Sequence, residues 1–560
     1  MTLNKTFFEM LGDQPWLPLH ESQTLAHRYK NDDIALLKTL VKEHPEHLDF
    51  IGKLWGDSFG IAYAPPDKTP IQYDLVRKLP REFARKHMVV PLYEMDGVVT
   101  VAAVRPDDKE LAELLESNLN KFVSLMFAFP GQIEAALELA YVDQEELSSL
   151  VAPVNDEEDG SSSAGLGKLV QEENIIEFTK GMFLLALRNR ASDIHIEPFN
   201  KSARVRFRQD GILCEVLQLD LSLLPRLVNH LKILADADIA ENRKPQDGRL
   251  SIALAGREVD VRFSCVPTIY GEKIVMRILG QNTFASVPDL GELTFSKTVY
   301  DNVNKVIASP NGIFFLTGPT GSGKTTTLFA VLNRLNRPEV NIMTIEDPVE
   351  YRLSGVNQIQ VNVPAGVTFA GALRAFLRQD PDVVLIGEIR DLETAKIAAQ
   401  AALTGHLVMA TMHTNNALQA ITRLIQIGVE PFLIAPSVIG VMAQRLVRRL
   451  CDNCKQPHKL DQKEIERYFQ WDNKTEVTFF RSVGCEQCHG SGYSGRLAIH
   501  ELFILDEATR DLIARNSSIL DIQKHAFDKG FKTLRYDGFK KVLRGLTTPE
   551  EVDRVVIESD

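Results

Sequence analysis

Residues 314 to 332 read "FFLTGPTGSGKTTTLFAVL". Within them Gly318, Pro319, Thr320, Gly321, Ser322, Gly323, Lys324 and Thr325, followed by Thr326, match the G-x-x-x-x-G-K-[ST] spacing of a phosphate-binding loop. An apolar, strand-like run precedes the match and a helix-like run follows, the context such a loop requires. Small residues let successive backbone N–H groups turn toward phosphate oxygens, and Gly318, Gly321 and Gly323 supply that freedom. Lys324 is then expected to reach the β- and γ-phosphates, and the Thr325 hydroxyl to ligate Mg²⁺. Kinases, switches, helicases and motors all use such a loop, so other residues must say what the nucleotide is for.

Three further stretches read as apolar strands ending in polar groups. In "DPDVVLIGEIRD" the run Val383–Ile386 leads to Glu388, expected to hold Mg²⁺ through its water shell, with Asp391 and Glu393 as alternatives farther along. In "NIMTIEDPVEY" the strand ends at Glu346, expected to orient and deprotonate the attacking water, with Asp347 and Glu350 as alternatives. "TGHLVMATMHTNNA" carries His406 and His413 seven residues apart. His413 closes an apolar run and is followed by turn residues, a position suited to sensing the γ-phosphate. From about residue 291 strands and helices alternate, as a parallel sheet wound with helices demands.

Outside this core, "PVNDEEDGSSSAGLG" (153–167) is too acidic and too rich in serine and glycine to bury apolar area, and reads as a flexible linker. Before it, "MVVPLYEMDGVVTVAAV" reads as two strands around an Asp-Gly hairpin and "GQIEAALELAYV" as a helix. After it comes the helix "NIIEFTKGMFLLALRNRA", then alternating strands in "ARVRFRQDGILCEVLQL" and "GRLSIALAGREVDVRFSCVP". A net charge of -12 lacks the basic footprint of a nucleic-acid binder. The opening "MTLNKTFFEMLGDQPW" has one lysine and no apolar run of signal length, and no stretch reaches the ~18 apolar residues of a membrane helix. A soluble, cytoplasmic chain is expected.

Of six cysteines, Cys214 and Cys265 lie in strand-like runs and are expected to be buried thiols. The other four form two C-x-x-C pairs, Cys451/Cys454 and Cys485/Cys488, separated by 30 residues. Four thiolates in tetrahedral array make a structural zinc site. A redox dithiol is the alternative, and His489 an alternative ligand.

Taken together, "GPTGSGKTTT", "TIEDPVE", "GEIRDLET" and "TGHLVMATMHTNNA" resemble the secretion ATPase superfamily, and within it the assembly ATPases of type IV pili and type II secretion systems. The resemblance extends through "ASDIHIEPFNKSARVRFRQDGIL", "RKPQDGRL", "QRLVRRLCDNC" and "GYSGRLAIHEL", over about 165 to 560. It implies an α/β, multi-domain chain: an N-terminal α/β docking domain (1–150), a linker (151–166), a PAS-like domain supplying arginines (167–290), a RecA-like P-loop ATPase core (291–445), a tetracysteine zinc module (446–500) and a helical C-terminal region (501–560). It further implies a homohexamer using ATP, Mg²⁺ and Zn²⁺, with Glu346 in an aspartate box and His406 and His413 in a histidine box. Arg206 and Arg208 in "VRFRQDG" are the expected phosphate-neutralising arginines; a second such position after this strand is not assigned, because Arg226 is displaced. The partners implied are an inner-membrane platform protein and a membrane-anchored docking partner. The RLG-type motif of cyclic-di-GMP modules is not found, so that ligand is not expected. The zinc module favours pilus extension over retraction. A nucleic-acid translocating motor is the competing reading.

Overall fold

The computed structural model describes residues 7–12, 14, 16–17, 19–29, 33–150, 164–279, 288–460, 465–466, 468, 478–488 and 490–556. The expected linker at 151–166 lies outside them as far as residue 163, as does His489. The chain divides into two compact units, Met1–Gln281 and Asn282–Asp560.

The first unit holds two sheets. Strands β1 (Val89–Met95) and β2 (Val98–Ala103) form the expected hairpin, turning on Asp96 and Gly97 with φ of 50° and 82°. Positive φ at both positions is what a two-residue hairpin turn requires. Helix Lys109–Leu119, capped by Asp108, crosses over to β3 (Phe122–Phe127), which lies parallel to β2. The second sheet contains β4 (Ala191–Pro198), β5 (Ser202–Gln209), β6 (Ile212–Asp220), β7 (Gln246–Leu254), β8 (Arg257–Thr268) and β9 (Gly271–Ile278). It is antiparallel throughout, in the order β6-β5-β4-β9-β8-β7. Its inner face, with Ile194, Ile196, Val205, Phe207, Phe263 and Met276, packs against Phe178, Met182 and Phe183 of helix Ala164–Arg188 and against helix Leu224–Leu234. This is the expected PAS-like arrangement. Cys265 is buried as expected, but Cys214 is exposed, because β6 is the sheet's edge and its first half lies open.

The second unit is built on β10 (Gly312–Thr317), β11 (Ile342–Glu346), β12 (Asn357–Gln360), β13 (Val383–Ile386), β14 (Leu407–Met412) and β15 (Val438–Leu450). These six are mutually parallel. A two-stranded ribbon follows, β16 (Gln456–His458) with β17 (Phe479–Arg481), and β18 (Tyr493–Ile504) then returns antiparallel to β15, giving the order β12-β11-β13-β14-β10-β15-β18. Ile313 and Phe315 enter one core and Phe314 and Leu316 the other, so both faces of β10 are covered. Burial on both faces explains why these strands read as unbroken apolar runs rather than alternations. The ATPase boundary expected at residue 446 falls inside β15, and the cysteine module is an excursion between two adjacent strands of the core sheet.

Candidate active site and tetracysteine centre

Because β10, β11, β13 and β14 are parallel, their carboxyl ends share one edge of the sheet, where ligands bind in open α/β folds. At that edge Gly318, Gly321 and Gly323 adopt φ of 147°, 78° and 84°, and helix Lys324–Leu335 begins immediately afterwards. The loop therefore presents N–H groups and the positive end of a helix dipole to one spot. Lys324 Nζ donates to the carbonyls of Gly318, at 2.8 Å, and Pro319, at 3.0 Å. Burial and then the charge of Arg445 pull its pKa down to about 8, against the pull of Glu388 and Glu350. A β- or γ-phosphate arriving here would meet an ammonium whose hydrogen bonds, among the described residues, go to carbonyls. Pro319, Thr320 and Gly321 are exposed at the loop's crest, and Thr325 and Thr326 lie half-buried in the first helical turn.

Glu388 is the second residue after β13 and is mostly buried, with an ion pair to Arg390 and with His413 Nε2 at 3.3 Å from its carboxylate. His413 leaves the end of β14 beside the loop, since the Gly318 N–H donates to the Met412 carbonyl at 3.3 Å. Glu346 is 5% exposed and accepts from Thr344 Oγ1 at 2.6 Å and from Gln358 Nε2 at 3.2 Å. Burial pushes its pKa up, opposed by those two hydrogen bonds, which makes it a stronger base than a solvated carboxylate. Glu350, one of the alternatives to Glu346, is the acid in that segment that acts on Lys324. His406 departs from expectation. It precedes β14 and its carbonyl accepts from the Gly312 N–H at 3.1 Å, so it lies at the amino edge of the sheet, a six-residue strand of roughly 20 Å away from His413. Its Nδ1 is 2.8 Å from the Ala401 carbonyl.

In the other unit, Arg206 and Arg208 share the outer face of β5 with Arg204, as strand alternation predicts. Arg206 Nε is 2.8 Å from Glu197, which also pairs with Arg204 and Lys273, each at 3.0 Å. Asp193 pairs with Arg277 at 2.8 Å and Arg208 at 3.5 Å. Burial raises the pKa of Glu197, but hydrogen bonds from Arg206, Lys273 and Arg204 outweigh it and bring the group to about 2. Five cations thus surround two buried acids, with Glu215 of β6 a third acid 3.9 Å from Arg204, so cations still outnumber acids in this cluster. The sequence did hold the signal: Asp193, His195 and Glu197 alternate with Ser192, Ile194 and Ile196 along β4.

Sequence reasoning missed Gln444 and Arg445 on β15. Gln444 is buried; its Nε2 donates to the Ser322 carbonyl and its Oε1 accepts from Thr327 Oγ1, both at 2.8 Å, which braces the loop from behind.

The four cysteines of the second unit converge. Their Sγ atoms all lie within 4.8 Å of one another, with Cys451–Cys485 and Cys454–Cys488 at 3.8 Å and Cys485–Cys488 at 3.7 Å. A tetrahedral ion with metal–sulfur bonds of about 2.3 Å sets its sulfurs about 3.8 Å apart, the separation of those three pairs, so the cluster is compatible with such an ion. Cys488 Sγ also accepts from the Cys485 and Gly492 N–H groups at 3.1 Å.

A phosphate loop on a parallel sheet, with acids at neighbouring strand tips, defines a RecA-like P-loop ATPase. Residues 168–554 match the type II/IV secretion system protein family and residues 59–147 the MshEN domain. The chain is 42% identical to the type II secretion system ATPase E of Vibrio cholerae over 511 residues, covering 88% of this chain and 99% of that one. It is 42% identical over 530 residues to the type IV pilus assembly ATPase PilB of Thermus thermophilus, covering 93% of this chain and 59% of that longer relative. Among solved structures the Legionella pneumophila ATPase DotB shares the fold, with a TM-score of 0.50 at 20% identity, over 72% of this chain and 98% of that one. The chain belongs to the type II/IV secretion system protein family and is an ATPase of that family.

Proposed function

We propose that this ATPase is a cytoplasmic hexameric motor that powers assembly of a type IV pilus or a type II secretion pseudopilus at the inner membrane. The observation that carries this reading is the gathering of Lys324, Glu388, His413 and Glu346 along one edge of a single parallel sheet. Lys324 and the loop amides would bind the β- and γ-phosphates, and Thr325 and Glu388 would hold Mg²⁺, which screens the phosphate charge. Glu346 would take the proton from the attacking water, and His413, fixed on Glu388, would sense whether the γ-phosphate is present. Arg206 and Arg208, on a face with excess positive charge, would neutralise the charge that builds on the γ-phosphoryl group, reaching it from a neighbouring subunit. Zinc, if held by the four clustered cysteines, would favour the extension over the retraction reading. The segment before residue 150 would dock on a membrane-anchored partner, while the ring works on a platform protein. The chain's acidity weighs against a nucleic-acid motor.

The test is ATP turnover by the purified chain under ring-forming conditions. Glu346→Gln is expected to lower kcat by about a hundredfold or more while nucleotide still binds. Turnover that depends on added single-stranded DNA would instead favour the nucleic-acid motor. Parental rates for Glu346→Gln would remove its assigned role.

A further inference from the structure

Strand β15 runs on past the end of β10: Thr317, the last residue of β10, lies opposite Ala443, so Gln444 and Arg445 stand beside the phosphate loop itself. Arg445 is 9% exposed. Its donors go to main-chain oxygens, Nη1 to the Gln444 carbonyl at 3.1 Å and Nη2 to the Asn415 carbonyl at 2.7 Å. Among the described residues the guanidinium forms no ion pair. Burial pulls the guanidinium's pKa down, and the charge of the buried Glu501 opposes that pull, but its hydrogen bonds go to carbonyls that fix its position. A methyl group on Gly318 would lie 3.1 Å from Arg445 Nη1, so the guanidinium is packed against the first residue of the loop.

Asn415 is two residues beyond His413, in the turn that leaves β14. The far end of that turn is held as well. Glu501, opposite Ala443 on β18, accepts from the Ala417 N–H at 2.6 Å and from the Leu534 N–H at 3.0 Å. Side chains from two adjacent strands therefore pin the turn at Asn415 and at Ala417. The same Arg445 touches the phosphate loop on one side and the His413 turn on the other.

We propose that Arg445 is a positioning residue for ATP hydrolysis, fixing the His413–Asn416 turn against the phosphate loop so that His413 and Glu388 stay in register with Lys324. The inference rests on the reading of His413 given above. A planar guanidinium suits the role because it spans two carbonyls lying in different directions, which a lysine ammonium does less rigidly.

The experiment is steady-state ATP turnover and ADP binding by the full chain carrying Arg445→Met, Arg445→Lys, His413→Ala, and the Arg445→Met/His413→Ala pair. Arg445→Met is expected to lower kcat about tenfold or more, with the KM for ATP and the affinity for ADP within about twofold of the parent. Arg445→Lys should recover part of the rate. The double variant should be no slower than His413→Ala alone, because both act through one turn. Additive losses, a raised KM at unchanged kcat, or parental kinetics for Arg445→Met would each overturn the proposal. If the Met variant does not fold, Arg445→Lys takes its place in the cycle with His413→Ala, and additive losses or parental kinetics overturn the proposal there too. A parental rate for His413→Ala would remove the underlying reading of the histidine, a result distinct from additivity, and the inference with it.

Discussion

At the scale of single residues, the three loop glycines are not equivalent. A methyl group on Gly318 would lie 2.6 Å from the Gln444 carbonyl oxygen, a main-chain atom of the sheet that cannot step aside. At Gly321 no described atom lies within 4 Å, so alanine there meets only the strain of a left-handed backbone, on the order of 1–2 kcal/mol. Gly318→Ala is therefore expected to weaken ATP binding at least about tenfold more than Gly321→Ala does, as read by titration with a fluorescent nucleotide. Equal losses would mean that backbone freedom alone, rather than the close approach of β15, makes Gly318 necessary. The glycine spacing was legible in the sequence because it is local. The atom that makes Gly318 strict belongs to Gln444, 126 positions later, and no spacing rule connects residues that a parallel sheet brings together.

At the scale of elements, the sequence declared its strands through apolar runs such as "GIFFLT", "VVLI" and "LVMATM", all fully buried. It was silent on which edge of the sheet each flanking residue occupies. His406 and His413 bracket one strand and look alike in the sequence, yet a strand's two ends face opposite edges, and only the carboxyl end meets the phosphate loop. The boundary at 446 was misplaced for a related reason: "QRLVRRL" continues a buried strand but is charged enough to look like the start of a new module. Placing the cysteines between β15 and β18 has a consequence for metal removal. Those strands pair from Gly440 to Leu450 without help from the metal, whereas the ribbon of β16 and β17 is only three residues wide on each side. Purified chain is expected to release one zinc when its thiols are titrated. Cys454→Ser should abolish that release and open the β16–β17 ribbon to proteolysis, while the strands from β10 to β15 stay protected. Loss of protection throughout the second unit would show that the metal holds the whole core.

At the scale of the whole molecule, acid stability is set partly by one buried histidine of β18, which lies opposite Gln444 of β15. His500 on β18 is fully enclosed, lies 4.4 Å from the Phe295 ring centre to centre, and holds Nδ1 3.8 Å from the Asp537 carboxylate. Burial drives its pKa down to about 4, with Lys541 adding to the effect and Asp537 opposing it. The folded chain thus keeps the imidazole neutral, while the unfolded chain binds a proton near pH 6.5. The stability tied to this neutral form is complete above pH 6.5 and is lost as the pH falls toward 4. By pH 5 the loss amounts to about 2 kcal/mol, at about 1.4 kcal/mol for each pH unit below 6.5. Phenylalanine approximates the ring's shape and carries no proton. Calorimetry of the parent and of His500→Phe at pH 7 and pH 5 should show the parent losing that increment of stability and the variant keeping it. Parallel losses in the two proteins would place the acid-sensitive group elsewhere, with the buried His195 of the antiparallel sheet next in line because burial depresses its pKa too.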